Sequence, residues 1–191
     1  MSIKDKVADM ETDTALVMDI KAGNKTALGK LVERHKKLAY RFALGLVGNK
    51  DDAYDISQEA FLRVYRSADT YDSQQPFLPW FYTIISNLCR TWLKRRSRRD
   101  NRMVDVDDAS YLLVDYANPE TSLERKEIVG KLRQALMQLP FDDREIIMLQ
   151  HFRGMSYEEI AGLLGIPRGT VMSRLYYARK KLADLMRQFY E

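Results

Sequence analysis

The chain has 191 residues, and 46% of them are hydrophobic, which is enough to build one packed domain or two small ones. Its formal net charge of +4 is only mildly basic, but cations crowd between 90 and 102 while carboxylates dominate 100–124. Cys89 is the only cysteine, so no intrachain disulfide can form, and no Cys/His spacing fits a zinc site. The sequence also shows no signal-peptide core and no apolar run of membrane length. These features predict a protein of the reducing cytoplasm.

The first half of the chain predicts four helices in succession. Residues 12–22 form a short one that stops at Gly23-Asn24, and residues 26–47 form a long one with an apolar stripe at helical spacing. Residues 51–67 have acidic residues in the first turn, where the helix dipole favours them. A polar loop at 69–76 leads to a helix over 77–98 that begins aromatic and ends strongly basic.

Residues 100–122 break this helical pattern. They are acidic, contain Asn118-Pro119 and show no sustained periodicity, which predicts a flexible interdomain linker. Helices are expected again over 123–138 and 141–152, separated by Leu139-Pro140. The predicted fold is therefore all-α, with two small helical domains, 1–99 and 123–191, joined by the acidic linker.

The segment from Ser156 to Leu182 predicts a helix-turn-helix. Ser156 and Glu159 form a capping box at the start of the first helix, Gly165 permits the left-handed turn, and Pro167 restarts a helix. The second helix has an inward face and a basic outer face that fits the major groove. A solvated amphipathic hairpin would show the same pattern, so this segment alone does not establish DNA binding.

Four segments in order extend the argument to almost the whole chain: DDAYDISQEAFLRVYR at 51–66, PWFYTIISNLCRTWLKRRSRR at 79–99, LPFDDREIIMLQHFRGMSYEEIA at 139–161 and GIPRGTVMSRLYYARKKL at 165–182. With them the chain resembles the bacterial RNA polymerase sigma factors of the extracytoplasmic function group. The resemblance implies a cytoplasmic, nucleoid-associated factor that binds core RNA polymerase and directs promoter-specific initiation, often in a stress response. It assigns 1–99 to sigma region 2 and 123–191 to sigma region 4.

Asp55, Gln58 and Glu59 share one helix face, opposite Phe61 and Val64. Spacing alone favours an ordinary solvated surface. The resemblance instead implies that these three residues bind the clamp coiled coil of the largest polymerase subunit.

The aromatic and basic helix combines stacking surfaces with phosphate-neutralising charge, which suits single-stranded DNA. The resemblance implies that it melts the −10 element and that the preceding loop holds a base outside the stack. Whether Trp80 faces DNA or the core is open, as is the loop residue that holds the base. The expected −10 contacts are Tyr71, Asp72, Gln74, Gln75, Phe77, Trp80, Asn87, Arg90, Lys94 and Arg95.

The helix-turn-helix resembles the module that reads the −35 element. This chain has Met172 and Tyr177 where the family usually has cations, so either an altered base preference or a weaker contact is expected, with Met172 able to meet a thymine methyl. The expected −35 contacts are Arg168, Thr170, Met172, Ser173, Arg174, Tyr177 and Arg179.

The acidic linker has two interpretations: a soluble tether, or an imitation of nucleic acid near the polymerase active-site cleft through Asp105, Asp107 and Asp108. The resemblance also implies control by an anti-sigma factor. A stand-alone helix-turn-helix regulator that binds DNA as a dimer, and a protein-interaction adaptor, are the alternatives. No catalytic, cofactor or metal site is expected, because His35, His151 and Cys89 occupy positions typical of structural residues.

Overall fold

The computed structural model describes residues 12–99 and 123–190, with side chains described for 12–97 and 127–190. These parts of the chain form helices and no strand, in agreement with the all-α prediction. The predicted linker, including Asp105, Asp107 and Asp108, lies outside the described residues. The α-helices are α1 (Asp13–Lys21), α2 (Lys25–Val47), α3 (Lys50–Arg66), α4 (Phe77–Arg99), α5 (Leu123–Gln138), α6 (Phe141–Ile147), α7 (Tyr157–Leu164) and α8 (Arg168–Arg187).

Local side chains define where the first helices start and stop. Thr12 Oγ1 accepts from the Ala15 backbone N–H, and the side chains of Asn24 and Asn49 cap α2 and α3 in the same way. Gly48 ends α2 in the left-handed conformation, at φ +80°. These caps explain why the observed helices agree with the predicted ranges to within a residue or two.

The helix predicted over 141–152 differs from the structure. Its α-helical part ends at Ile147, and Met148–Phe152 form a single π-helical turn. Four consecutive residues, 146–149, are buried there, because the segment contacts α2 on one side and α8 on the other. A regular amphipathic helix would bury only one face.

The N-terminal domain packs α1 to α4 around the predicted apolar stripe of α2. Leu31, Phe42 and Leu46 from that stripe are fully buried, and Phe81 and Ile85 of α4 meet them from the other side. Ile84 and Leu88 of α4 are half-buried at the edge of this core. The core thus leaves the outer faces of α3 and α4 free.

The two helical domains pack directly on each other. Residues of α2 contact α5, α6 and the π-helical turn, while α4 contacts α7, so that buried apolar side chains from both domains form one continuous cluster. The approach is close: a Cβ added to Gly45 of α2 would lie 2.2 Å from the Met148 Cε atom. Residues 12–99 and 127–190 therefore contribute side chains to a shared apolar cluster.

Candidate protein and nucleic-acid interfaces

The polar ridge of α3 lies on the surface, as its spacing predicts. Asp55 and Gln58 are exposed and Glu59 is half-buried, whereas Phe61 and Val64 on the other side are buried. Glu59 pairs with Arg66 at 3.3 Å and with Arg63 at 3.8 Å, so its carboxylate is held in place on the ridge. The structure thus presents the three side chains together on one accessible face.

Apolar side chains flank this ridge, and the sequence analysis did not single them out. Tyr54, Leu62 and Tyr65 are 58%, 46% and 40% exposed. An open groove of about 520 Å³ between α2 and α3 has Tyr54 and Gln58 in its wall. Exposed apolar side chains beside a polar ridge are typical of a protein-binding face. Tyr54 and Leu62 lie four residues before and after Gln58, and Tyr65 lies three residues after Leu62. This helical spacing could have placed all three beside the ridge from the sequence.

The loop before α4 is built around Tyr71. Its ring is 5% exposed, its hydroxyl donates to the Gln75 carbonyl at 2.6 Å, and its centroid lies 4.9 Å from that of Trp80. Asp72 accepts from the Gln74 backbone N–H at 2.9 Å, which closes a turn. Asp72, Gln74 and Gln75 are left exposed at the tip.

Tyr71 and Phe77, two of the expected −10 contacts, are buried in this conformation. Phe77 is 3% exposed and stacks on Phe81, with ring centroids 5.2 Å apart. Because both rings are enclosed by other aromatic groups, neither has a free face for a base in this conformation. Tyr71 and Phe77 support the loop from below, and the exposed polar residues at its tip are left to contact a base.

One face of α4 collects several of the predicted DNA contacts. Trp80, Asn87 and Lys94 recur every seven residues and so share a face. Asn87 and Lys94 are exposed, as is Arg95, while Trp80 is half-buried because its ring packs against Tyr71 and Phe77. The structure therefore gives Trp80 a mixed role, anchored in the core with part of its surface accessible.

Arg90 is placed differently from the other cations of α4. Its guanidinium pairs with Asp142 at 2.6 Å and with Glu145 at 2.7 Å, both in the C-terminal domain. It also lies 4.5 Å from the centroid of the Phe141 ring. In this conformation Arg90 is engaged by protein and is not available to DNA.

The helix-turn-helix has the predicted geometry. Ser156 Oγ accepts from the Glu159 backbone N–H at 3.2 Å, and the Glu159 carboxylate accepts from the Ser156 N–H at 2.7 Å. These hydrogen bonds lower the pKa of Glu159. Gly165 adopts φ +64°, and α8 begins after Pro167. Val171, Leu175 and Ala178 are buried, so the opposite face of α8 is presented to the outside.

The arginines expected on the −35 surface are bound to neighbouring groups. Arg168 pairs with Glu158 at 2.7 Å, and Arg179 donates to His151 Nε2 at 2.9 Å and to Gln150 at 3.0 Å. Arg174 is half-buried, and its charge acts on the buried Glu145 carboxylate. These arginines must exchange partners before they contact DNA, although exposed pairs of this kind are weak.

The outermost face of α8 consists mostly of other residues. Met172 and Tyr177 are 50% and 59% exposed, and Ser173 is also exposed. Tyr176, which the sequence analysis missed, is 64% exposed, and its ring contacts Tyr177 edge-on at 5.3 Å. Lys180 lies exposed one turn further on. Tyr176 and Lys180 lie on the side of the helix away from Val171 and Leu175, so helical periodicity could have predicted that both are exposed.

The residues considered for chemistry are in structural positions. His35 is buried, its Nε2 atom lies 2.9 Å from Asp13 Oδ2, and its ring contacts the Phe77 ring. Cys89 is fully buried. Burial, together with the positive charge of Arg179, lowers the pKa of His151. Among the described residues there is no cluster of His, Cys, Asp and Glu that could hold a metal ion. In that part of the chain no helix is long and apolar enough to cross a membrane.

Fold and surfaces together define an all-α protein with a helix-turn-helix and, on α4 and its preceding loop, a second exposed polar and basic surface. Residues 31–99 match the family model for sigma-70 region 2, and residues 130–182 match the model for sigma-70 region 4. The chain belongs to the sigma-70 family, in the extracytoplasmic function (ECF) group.

Full-length relatives support this assignment. The RNA polymerase sigma-H factor of Pseudomonas aeruginosa is 34% identical over 188 residues, covering 93% of this chain and 97% of its own. The ECF RNA polymerase sigma factor SigW of Bacillus subtilis is 30% identical, covering 90% of this chain and 95% of its own.

Solved structures show the same fold. CnrH, in complex with the cytosolic domain of CnrY, superposes with a TM-score of 0.67 at 27% identity, covering 92% of this chain and 97% of that one. The sigma factor RpoE of Bartonella quintana has a TM-score of 0.68 at 24% identity, covering 83% of this chain and 96% of that one.

Proposed function

We propose that this chain is an alternative sigma factor that binds core RNA polymerase and directs promoter-specific initiation. The observation that carries the proposal is the order of the two matched regions: region 2 on α2 to α4 and region 4 on α5 to α8, each with an accessible binding face. Such a chain acts in the cytoplasm, at the nucleoid, and needs no catalytic group of its own.

The outer face of α3 is the proposed polymerase-binding surface. Asp55, Gln58 and Glu59 supply polar contacts, and the exposed Tyr54 and Leu62 supply the apolar area that a stable protein interface requires. The clamp coiled coil of the largest polymerase subunit is the proposed partner. Mixed polar and apolar character explains why this face stays exposed in the free chain.

Promoter recognition is divided between the domains. The loop tip and the exposed face of α4 are proposed to hold the melted −10 strand, with Asn87 for base edges and Lys94 and Arg95 for phosphates. The outer face of α8 is proposed to enter the major groove at the −35 element. The exposed residues of the loop tip, α4 and α8 support this division, although Arg90, Arg168 and Arg179 are paired with protein groups in the free chain.

An anti-sigma factor is the proposed regulator. CnrH, which shares the fold at 27% identity, was solved in complex with the cytosolic domain of CnrY. A small helical factor with exposed apolar faces on α3 and α8 offers the surface that such a partner would cover.

Transcription with purified core polymerase tests the proposal. Added to core enzyme and genomic fragments, the chain should produce transcripts whose mapped start sites share two upstream elements. Initiation no different from that of core enzyme alone would contradict the proposal, while promoter binding without core enzyme would favour a stand-alone helix-turn-helix regulator.

The Gln58→Ala, Glu59→Ala double variant tests the polymerase-binding surface. We expect association with core enzyme to weaken at least tenfold, because truncating a polar contact at an interface centre costs on the order of 2 kcal/mol. Thermal unfolding should change little, since the Glu59 ion pairs are exposed. Binding is measured by competition against labelled wild-type chain.

A matched control lies on α5. Glu127 and Gln138 are both exposed and lie away from the ridge, so the Glu127→Ala, Gln138→Ala variant should bind core enzyme as wild type does. Equal loss in both double variants would show that α3 has no special role.

A further inference from the structure

We propose that α1 is a brace for the loop that precedes α4, and that Thr14 positions this loop through the hydroxyl of Tyr71. The loop is the one proposed to hold a base of the melted −10 strand, so the consequence for promoter recognition rests on the proposed function, whereas the brace itself does not. The match to sigma-70 region 2 begins at residue 31 and does not include α1. The role of α1 follows from what it contacts.

A relay of two hydrogen bonds joins α1 to the loop. The Tyr71 hydroxyl donates to the Gln75 carbonyl at 2.6 Å, and its oxygen lies 3.1 Å from Thr14 Oγ1. A phenol has only one proton, so with that proton on the Gln75 carbonyl the Thr14 hydroxyl is the donor to Tyr71. The Tyr71 ring is 5% exposed and packs against Trp80, which fixes its position. Since linked hydrogen bonds polarise each other, the Thr14 hydroxyl strengthens the bond that holds the Gln75 backbone.

A second contact lies at the other end of α1. Lys21 Nζ donates to the Asp69 carbonyl at 3.3 Å, in the short 3-10 turn Ala68–Thr70 that leads into the loop. Thr14 and Lys21 are seven residues apart and therefore lie on one face of α1. That face contacts the segment before α4 at two points, Asp69 and Tyr71.

α1 is itself fixed to the core of the N-terminal domain. Three of its apolar side chains are at most 4% exposed, namely Leu16, Val17 and Ile20. Asp13 accepts from Arg34 Nη1 at 2.5 Å and lies 2.9 Å from His35 Nε2, and both partners belong to α2. A loop that is bonded to α1 is therefore bonded to the rigid part of the domain.

The brace lies directly below the polar tip of the loop. The Gln75 N–H donates to the Asp72 carbonyl at 3.0 Å, and the Gln74 N–H donates to Asp72 Oδ1 at 2.9 Å, so residues 72–75 form a closed turn. Asp72, Gln74 and Gln75 are exposed at this tip. Polar side chains distinguish bases only when their donors and acceptors are held at hydrogen-bonding geometry. We therefore expect the brace to affect base preference at the −10 position that the loop holds.

Hydrogen exchange in the free, full-length chain tests the brace without DNA. The reporters are the Gln74 and Gln75 amides, whose bonds close the turn. Thr14→Val keeps the shape of the side chain and removes its hydroxyl, so exchange at both amides should speed about two- to tenfold, the usual worth of one hydrogen bond. Thr14→Ser keeps the hydroxyl and should exchange as the wild type does.

A double-mutant cycle shows whether Thr14 acts through Tyr71. Tyr71→Phe removes the hydroxyl that lies between Thr14 and Gln75, so it should speed exchange at least as much as Thr14→Val does. In the Tyr71→Phe background, adding Thr14→Val should change exchange by less than about twofold, because the bond it removes is already gone. Full additivity of the two effects, or wild-type exchange in folded Tyr71→Phe, overturns the relay.

A matched control lies on α2. Thr26 is exposed in the first turn of that helix and is not part of the relay, so Thr26→Val should leave exchange at the two amides unchanged. Thermal unfolding of every variant separates a local effect from a loss of global stability, which would also speed exchange of core amides in α2 and α4. Equal acceleration by Thr14→Val and Thr26→Val contradicts the brace.

Single-stranded −10 oligonucleotides, bound by the chain together with core enzyme, test the consequence for recognition. Thr14→Val should lower the preference between bases about two- to tenfold at one −10 position and leave the other positions unchanged, and Thr14→Ser should retain the wild-type preference. An equal loss of affinity for every oligonucleotide, or an unchanged preference at every position, overturns the positioning role.

The two assays separate this inference from the proposed function. If exchange shows the relay but the wild type directs no initiation with core enzyme, the proposed function fails and the brace stands. If the wild type directs initiation while Thr14→Val leaves exchange at Gln74 and Gln75 unchanged, the brace alone fails.

Discussion

At the scale of single residues, the outer face of α8, the proposed recognition helix, is notable for its large apolar side chains. Met172, Tyr176 and Tyr177 are each at least half exposed, whereas Arg168 and Arg179 are paired with protein groups. Large apolar side chains in the major groove find one apolar partner there, the C5 methyl group of thymine. We therefore expect thymine to matter more than guanine at the −35 element.

Replacing thymine by deoxyuridine in the −35 element tests this expectation, because it removes only the methyl group. The affinity of the wild-type polymerase complex should fall about fourfold for each methyl that Met172 or Tyr176 covers, since burial of one such group is worth about 0.8 kcal/mol. The measurement is a binding titration with a selected promoter duplex.

The Met172→Ala and Tyr176→Ala variants provide the comparison. Each should bind the thymine promoter more weakly than wild type and be less sensitive to deoxyuridine. An undiminished response to deoxyuridine in both variants would show that neither side chain contacts a methyl group.

At the scale of elements, helix ends position the binding surfaces. The capping box of Ser156 and Glu159 starts α7, and Gly165 at φ +64° turns the chain so that α8 can follow at the angle a helix-turn-helix requires. Tyr71 fixes the loop before α4, because its hydroxyl donates a hydrogen bond to the Gln75 carbonyl. The side chains proposed to contact DNA depend on these short-range contacts for their placement.

Two glycine-to-alanine substitutions with opposite expected effects on the free energy of unfolding test the turn. Gly165→Ala should lower the free energy of unfolding by about 1 kcal/mol, because alanine is strained at positive φ. Gly162→Ala, three residues earlier inside α7, should raise it by about 0.5–1 kcal/mol, because nothing lies within 4 Å of its added Cβ. Thermal or denaturant unfolding measures both, and destabilisation of equal size would argue against the left-handed turn.

At the scale of the whole molecule, the main feature is the direct contact between the domains. Gly45 and Gly48 of α2 admit the side chains of Met148 and Met137 so closely that a Cβ on Gly45 would lie 2.2 Å from Met148 Cε. Met148 is 5% exposed, so its flexible end would have to find another position inside the core. Close packing and the contacts of Arg90 with Asp142 and Glu145 thus join the two parts of the chain.

A pair of alanine variants on the same helix tests this packing. Gly45→Ala should loosen the contact and speed labelling of the buried Cys89 thiol by a disulfide reagent, whereas Gly29→Ala, whose added Cβ meets nothing within 4 Å, should not. Alanine has a higher helix propensity than glycine at both positions, so helix propensity does not explain a difference in labelling between the two variants. Identical labelling in the two variants would contradict close packing at Gly45.

The amino-acid sequence by itself determined most of the helices, the capping box of α7, the helix-turn-helix and the family, because each depends on residues a few positions apart or on ordered segments. Only the tertiary structure decided which predicted contacts are accessible. It buried Tyr71 and Phe77, and it joined Arg90 to Glu145 across 55 positions of sequence. Contacts between distant positions follow from how whole helices pack, and no local spacing encodes them.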